Sequence, residues 1–204
     1  MMERILFSKI EEVMKNSGMT VFTKPFDITL GAIRTKDSAS NEFNDWIFAF
    51  CFNEAGKRIG IMFEGTTDAG LYWRLNPMRT EGTAIIKHGV QHRGAYQLQD
   101  PNEDKSKRGH KGQKAFRQIK SMSYWRDADR DKYLEFDGEH QEGIFFTNGH
   151  YMGTVGNKVD KWSAGCWGST VENMDDLFKI CELQINAGLG DNFSFALLHE
   201  DAFE

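Results

Sequence analysis

Between residues 26 and 86 the chain repeats one texture: short runs rich in aromatic and β-branched residues, each closed by a cluster of Gly, Asn or Asp. Phe26 to Ile33, Asp45 to Asn53, Arg58 to Phe63, Leu71 to Leu75 and Thr83 to Ile86 all have this form. Such side chains suit a pleated, half-buried surface and the breakers suit tight connections, so the pattern predicts an antiparallel sheet. Gly94 to Gln99, Ala115 to Met122, Lys132 to Phe136, Gly143 to Asn148, Tyr151 to Val155 and Phe193 to Leu198 carry it to the end of the chain. The expected fold class is mainly β with an α component: an antiparallel β-sandwich or barrel-like core.

Two helices interrupt the texture. Ile5, Leu6, Ile10, Val13 and Met14 recur at helical spacing between Glu3 and Lys15, and Asn16-Ser17-Gly18 supplies a stop, which predicts an amphipathic opening helix. A late helix is expected from Asn173 to Ala187, after the last cysteine-bearing loop, with Leu177, Ile180, Cys181, Gln184 and Ile185 on one side. Asn173 is its expected cap, Asp175 and Asp176 favour the positive end of its dipole, and Gly188 ends it. Asp100 to Gly112 is polar, aperiodic and rich in breakers, and reads as a long loop. With no composition break, the expected organisation is residues 1–20 as an N-terminal helix and residues 21–204 as a single β-rich domain.

Charge and composition exclude several classes. With 25 Lys+Arg against 30 Asp+Glu the chain has a formal charge of −5, wrong for a strongly basic nucleic-acid binder. No stretch reaches the ~18 unbroken apolar residues of a membrane span. The opening residues lack the basic-then-apolar order of an export signal, so cytoplasmic synthesis without export is expected. Cys51, Cys166 and Cys181 form no CxxC pair, and the six histidines contain no HExxH, so neither a disulfide framework nor a zinc site is expected. Asp127 to Asp131 alternates carboxylates, but Lys132 and Gly138 stand where a calcium loop needs Gly and Glu. The expectation is no metal and no cofactor.

Chemistry concentrates in Gly149-His150-Tyr151-Met152-Gly153 and Trp162-Ser163-Ala164-Gly165-Cys166-Trp167-Gly168-Ser169. Gly165 and Gly168 around Cys166 permit close backbone approach, so a substrate carbonyl can reach the sulfur and main-chain N–H groups can meet a developing oxyanion. A thiol needs a base to act near neutral pH, and His150 lies upstream on a segment that can pair with the chain entering Cys166. Trp162 and Trp167 bracket the thiol and suit either an aromatic wall against a peptide or a packing anchor. Cys51 and Cys181 read as core.

The order His150, then Ser163-Ala164-Gly165-Cys166, resembles the L,D-transpeptidase catalytic-domain family, with its histidine followed by Ser/Thr-x-Gly-Cys. Gly94-Ala95-Tyr96 is similar to the Gly-x-Tyr/Phe strand that precedes the active site there. Together with His92-Arg93, Gly109-His110-Lys111-Gly112 and Arg126-Asp127, these blocks resemble the small phage and prophage members, over residues 70–204. The resemblance implies Cys166 as acylated nucleophile, His150 as its base, Gly165 in the oxyanion hole and Ser163 orienting the loop. Trp162, Trp167, Tyr151, Arg93 and His110 are the expected substrate-binding side chains. Two departures stand out: Ala164 where the family often has His, and Trp167-Gly168 where it has Arg. The substrate-carboxylate contact then falls to Arg93, Arg126 or Lys161.

The expected function is thus cysteine-dependent acyl transfer on peptidoglycan stem peptides, giving cross-links when an amine resolves the acyl-enzyme and cleavage when water does. A phage-encoded enzyme delivered through a holin or in the virion fits the missing signal. The alternatives are a virion or wall-binding structural protein that keeps the fold without turnover, and a thiol peptidase or amidotransferase on a soluble peptide.

Overall fold

A computed structural model describes residues 6–39, 41–136, 138–153 and 158–204. Its centre is an eight-stranded sheet in the order β10-β9-β6-β5-β11-β1-β2-β3. The strands are β1 (Thr29–Arg34), β2 (Asp45–Phe52), β3 (Arg58–Gly65), β5 (Val90–Gln99), β6 (Ala115–Gln118), β9 (Gly149–Tyr151), β10 (Trp167–Ser169) and β11 (Asn192–His199). Just beyond β3, Thr66 exchanges two main-chain hydrogen bonds with Gly168 of β10, at 2.8 and 2.9 Å. The two edge strands thereby meet and the sheet nearly closes into a barrel, which removes its open edges. A second sheet, β4-β7-β8, holds β4 (Thr83–Ile86), β7 (Met122–Asp127) and β8 (His140–Gly143). The mainly β, barrel-like class expected from the sequence is the one observed. Two pairs, β1 with β11 and β9 with β10, run parallel.

The central strands are buried on both faces, which explains their unbroken apolar runs. In β2 the side chains alternate between two cores. Ile47, Ala49 and Cys51 join Leu30, Ala32, Trp167, Phe195 and the helix α3 (Val171–Asn186), whereas Phe48 and Phe50 join Ile33, Ala196, Leu198 and the helix α1 (Phe7–Asn16). α1 seats Ile10, Val13 and Met14. Its expected partner Ile5 lies outside the described residues, and Leu6, at the N-cap, is exposed. α3 is capped by Thr170, whose side chain accepts from the Asn173 N–H; the expected cap, Asn173, is inside the helix and donates its amide to Ser169 Oγ instead. No helix among the described residues is long and apolar enough to cross a membrane.

Several sequence expectations are corrected. Leu71–Leu75 is a short helix, α2, not a strand. The Gly70 N–H is taken by Ser163 O and the Leu71 N–H by Asn41 Oδ1, while Arg74 turns inward to pair with Asp127 at 2.7 Å; these long-range contacts override local β preference. Ala115 to Met122 divides between the two sheets after Gln118, whose amide donates to Lys120 O and Gly143 O and so stabilises the bend. Lys132 to Phe136 forms only a single bridge, Tyr133 to Ala39. Past Gly143 the expected strand to Asn148 is irregular, and of the expected strand Tyr151 to Val155 only Tyr151 is in β9, Thr154 and Val155 lying outside the described residues.

Candidate functional site

The parallel pair β9/β10 builds the site. Its register sets Trp167 opposite Gly149 and Gly168 opposite His150, and the Trp167 N–H donates to Asn148 O at 3.1 Å. Cys166, one residue ahead of β10, therefore lies beside the start of β9 and close to His150. Two glycines make this approach possible. A Cβ on Gly149 would lie 2.2 Å from the Trp167 ring, and one on Gly168 would lie 1.9 Å from His150 O. Gly168 thus serves strand packing, and its N–H is committed to Thr66 O.

The loop that carries the thiol is held by Ser163, which accepts from the Gly165 N–H at 3.0 Å and donates to Cys166 O at 2.7 Å. The Gly165 N–H is thus occupied within the loop. Gly165 has φ +128°, and a Cβ there would press on Ala84 O, so only glycine fits. Cys166 is 9% exposed, packed in a small cluster with Phe43, Met152 and Val159. Its thiol donates to Phe146 O at 3.6 Å.

Phe146 adopts φ +58°, a left-handed conformation that costs a side-chain-bearing residue about 1 kcal/mol. Its neighbours hold it there. Gln118 Oε1 accepts from the Phe145 and Thr147 N–H groups, Tyr96 OH donates to Thr147 O at 2.7 Å, and Tyr124 OH bonds Thr147 Oγ1 at 2.7 Å.

His150 is 3% exposed, and its Nδ1–H donates to Tyr151 O at 2.6 Å, leaving Nε2 with its lone pair and no partner. The His110 ring lies parallel to it, centroids 3.8 Å apart and planes within 4°. His110 sits at the base of a two-residue hairpin turn, exchanging main-chain bonds with Gln113 around Lys111 and Gly112, both of positive φ as such a turn demands. One ring nitrogen of each histidine and the Cys166 sulfur all lie within 4.8 Å of one another.

Burial governs the charge states. It pushes the Cys166 thiol up to about 11, against smaller opposing effects of the Asn148 main chain and Lys111. It pulls His150 down to about 3, aided by His110 and Lys111, and His110 to about 4, aided by Lys111 and Arg117. Near neutral pH the resting site therefore holds a neutral thiol and two neutral imidazoles.

No family model matches this chain, and no curated protein or solved structure matches it either.

Two imidazoles and a thiol form a donor set of the kind that binds zinc. In the hydrogen-bonded arrangement present the set falls short. The Gln118 N–H donates to Asn148 Oδ1 at 2.9 Å, so the Asn148 amide nitrogen faces His110 Nδ1, 3.1 Å away, and that ring nitrogen is the acceptor. A neutral His110 then carries its proton on Nε2 and has no free lone pair to give a metal.

The other expected residues are distributed. A cavity of about 290 Å³ adjoins the thiol loop, walled by Trp73, Arg79, Ala84, Arg126, Phe146 and Ala164 among others. Arg126 stacks over Phe145 at 4.5 Å while bonding Gln141 and Gly82 O. Trp162, 47% exposed, lines a separate shallow depression with Tyr72, Asp160 and Lys161. Trp167 is fully buried between Phe116 and Phe195, so it packs the core and walls no cleft. Tyr151 points the opposite way from His150, bonding Asp175 of α3 and packing on Phe178. Arg93 lies over Phe22 in a different depression, with Lys120 and Ser194.

Asn148, Gln118 and the Phe146 carbonyl were not singled out from sequence. Gln118 left one trace: it occupies an inward position two residues after buried Phe116, where an apolar side chain is expected.

Proposed function

We propose that this chain is a cysteine-dependent acyltransferase or peptidase acting on peptidoglycan stem peptides. The observation that carries the reading is the convergence of the Cys166 sulfur and a His150 ring whose Nδ1–H is anchored on Tyr151 O, leaving Nε2 as a base. His150 Nε2 takes the thiol proton as the sulfur forms its bond to the peptide carbonyl carbon, and the carbonyl π pair moves onto oxygen. Collapse restores the carbonyl and breaks the C–N bond, while the imidazolium returns its proton to the leaving amine. An incoming amine or water then attacks the thioester and gives its proton to His150, the C–S bond breaks to release the thiolate, and the imidazolium returns that proton to sulfur. Because burial keeps the resting thiol neutral, its ionisation depends on proton transfer to His150 within the site.

The cavity beside Ala164 supplies a cleft, and its two arginines, Arg79 and Arg126, are suited to a stem-peptide carboxylate. Of the three basic residues considered from sequence, Arg126 is the one on this wall. The choice of stem peptides rests on the resemblance of His150 and Ser163-Ala164-Gly165-Cys166 to the L,D-transpeptidase family.

The test is incubation with purified sacculi or muropeptides and mass spectrometry of the products, with Cys166→Ala as control. Muropeptide dimers indicate transpeptidation and shortened stems indicate hydrolysis. Identical profiles from wild type and Cys166→Ala would remove the catalytic reading on this substrate. Retention of both proteins on sacculi without turnover would then favour the wall-binding alternative, which the deep burial of the thiol suits.

A further inference from the structure

We infer that His110 is a second functional histidine of this site, a hydrogen-bond donor to the Cys166 sulfur whose tautomer is set by Asn148. The inference rests on the reading of Cys166 as nucleophile and extends it to the partner the thiolate meets.

One chain of hydrogen bonds sets the tautomer of each ring. A main-chain N–H can only donate, so the 2.9 Å contact from Gln118 N identifies the Asn148 side-chain atom it meets as the carbonyl oxygen. The other end of that amide is the NH₂ group, and it lies 3.1 Å from His110 Nδ1. An NH₂ group only donates, so Nδ1 accepts and the proton of the neutral ring is on Nε2. That Nε2 is buried with no partner among the described residues, as is His150 Nε2. Carbonyl oxygen Tyr151 O only accepts, so His150 has the opposite tautomer.

Two parallel rings thus carry unlike unpartnered groups, an N–H on His110 and a lone pair on His150, and a ring nitrogen of each lies within 4.8 Å of the sulfur. Stacked planes keep the two from bonding each other in plane, so each is left for a third atom. Among the described residues, Cys166 Sγ is the atom that groups with both rings within 4.8 Å. When the S–H bond breaks, the proton and its positive charge go to His150 Nε2 and the electron pair stays on sulfur. The His110 N–H then gives that pair a donor inside a site with little water, where one charge-assisted bond matters most. The buried His110 N–H, unpartnered in the resting site, gains an acceptor in this step. Asn148 is a positioning residue, acting through His110.

The groups that also bear on this titration are Lys111 and Arg117 beside the imidazoles and Tyr96 and Tyr124 beside the sulfur, and they stay constant in the comparison. The experiment has two arms, neither using peptidoglycan. Nitrogen-15 NMR of the imidazoles in the wild-type protein should show the protonated nitrogen as Nε2 in His110 and Nδ1 in His150; an Nδ1–H tautomer for His110 overturns the inference whatever the variants do.

In the second arm, the rate of iodoacetamide alkylation of Cys166 is followed against pH by peptide mass spectrometry. His110→Ala should move the inflection up by about one pH unit, a roughly tenfold slower reaction at any pH below it, and His110→Gln, which keeps an N–H donor, should restore most of the rate. Opening a water-filled space at residue 110 without loss of a donor would move the inflection down. An unchanged or lowered inflection in His110→Ala therefore rejects the inference. If the variants do not fold, the tautomers of the wild-type protein decide. Failure of either arm leaves the product analysis of Cys166→Ala unaffected.

Discussion

Cys166, Cys51 and Cys181 are all free thiols, and their surroundings rank them. Cys51 and Cys181 have no exposed surface and share the core between β2 and α3, whereas Cys166 retains 9% of its surface. In the native protein iodoacetamide should modify Cys166 alone, with a rate still rising above pH 9 because burial holds the thiol near 11. Equal labelling of the three, or a plateau below pH 7, contradicts this picture. Asp45 makes a second test at the residue scale. It is buried beneath the barrel seam, accepting from the Thr35 N–H at 3.0 Å and from the Thr67 N–H and hydroxyl at 2.8 and 2.7 Å. Asparagine at 45 keeps one acceptor and turns an NH₂ group on donors, so Asp45→Asn should lose about 1–3 kcal/mol in urea unfolding. A neutral result rejects the hydrogen-bond account.

The site depends on one short parallel pair of strands, three residues each. Their closeness rests on Gly149 and Gly168, where a methyl group would meet a rigid indole ring or a main-chain oxygen. Gly149→Ala should therefore destabilise the fold by about 2 kcal/mol or more, as overpacking of a fixed partner does, and should speed alkylation of Cys166 by loosening β10 from β9. A stable variant with unchanged alkylation contradicts this. α3 begins two residues after β10 and covers the same core, so its cap contributes to the seam. Thr170→Ala should cost about 1 kcal/mol, read as a lower urea midpoint at unchanged m-value.

Over the whole molecule, burial shifts bases and acids in opposite senses with respect to acid stability. His88 and His150 are lowered from 6.5 to about 3, and His92 and His110 to about 4, by loss of hydration first of all. The unfolded chain protonates these rings below 6.5 while the native chain resists, so the stability they carry is present above pH 6.5 and is lost as the pH falls toward 3–4. Asp45 and Asp127 are raised from 3.8 to about 6, chiefly by burial, and favour the native state as the pH falls through 6 toward 3.8. Four rings outweigh two carboxyls around pH 5. Urea midpoints for the metal-free protein should thus be lower at pH 5 than at pH 7; a higher midpoint at pH 5 contradicts the balance.

Strands β1, β2, β3, β5, β6 and β11 of the central sheet, the opening and late helices, and the buried positions of Cys51 and Cys181 were legible in sequence, because hydrophobic periodicity and breaker residues act within a few positions of themselves; β9 and β10, three residues each, were not. What escaped depends on contacts made far along the chain. Leu71–Leu75 is helical because of partners at 41, 127 and 163, and Ala115 to Met122 divides because the Gln118 side chain reaches Gly143. The same holds at the site. Motif order marked His150 and Cys166, but the parallel register that sets them side by side, the ring of His110 lying against His150, the burial of Trp167 and the turn of Tyr151 toward α3 come from the nearly closed barrel. Local pattern selects which face of an element is apolar. Which elements meet across the nearly closed sheet is decided by the packing of all of them at once.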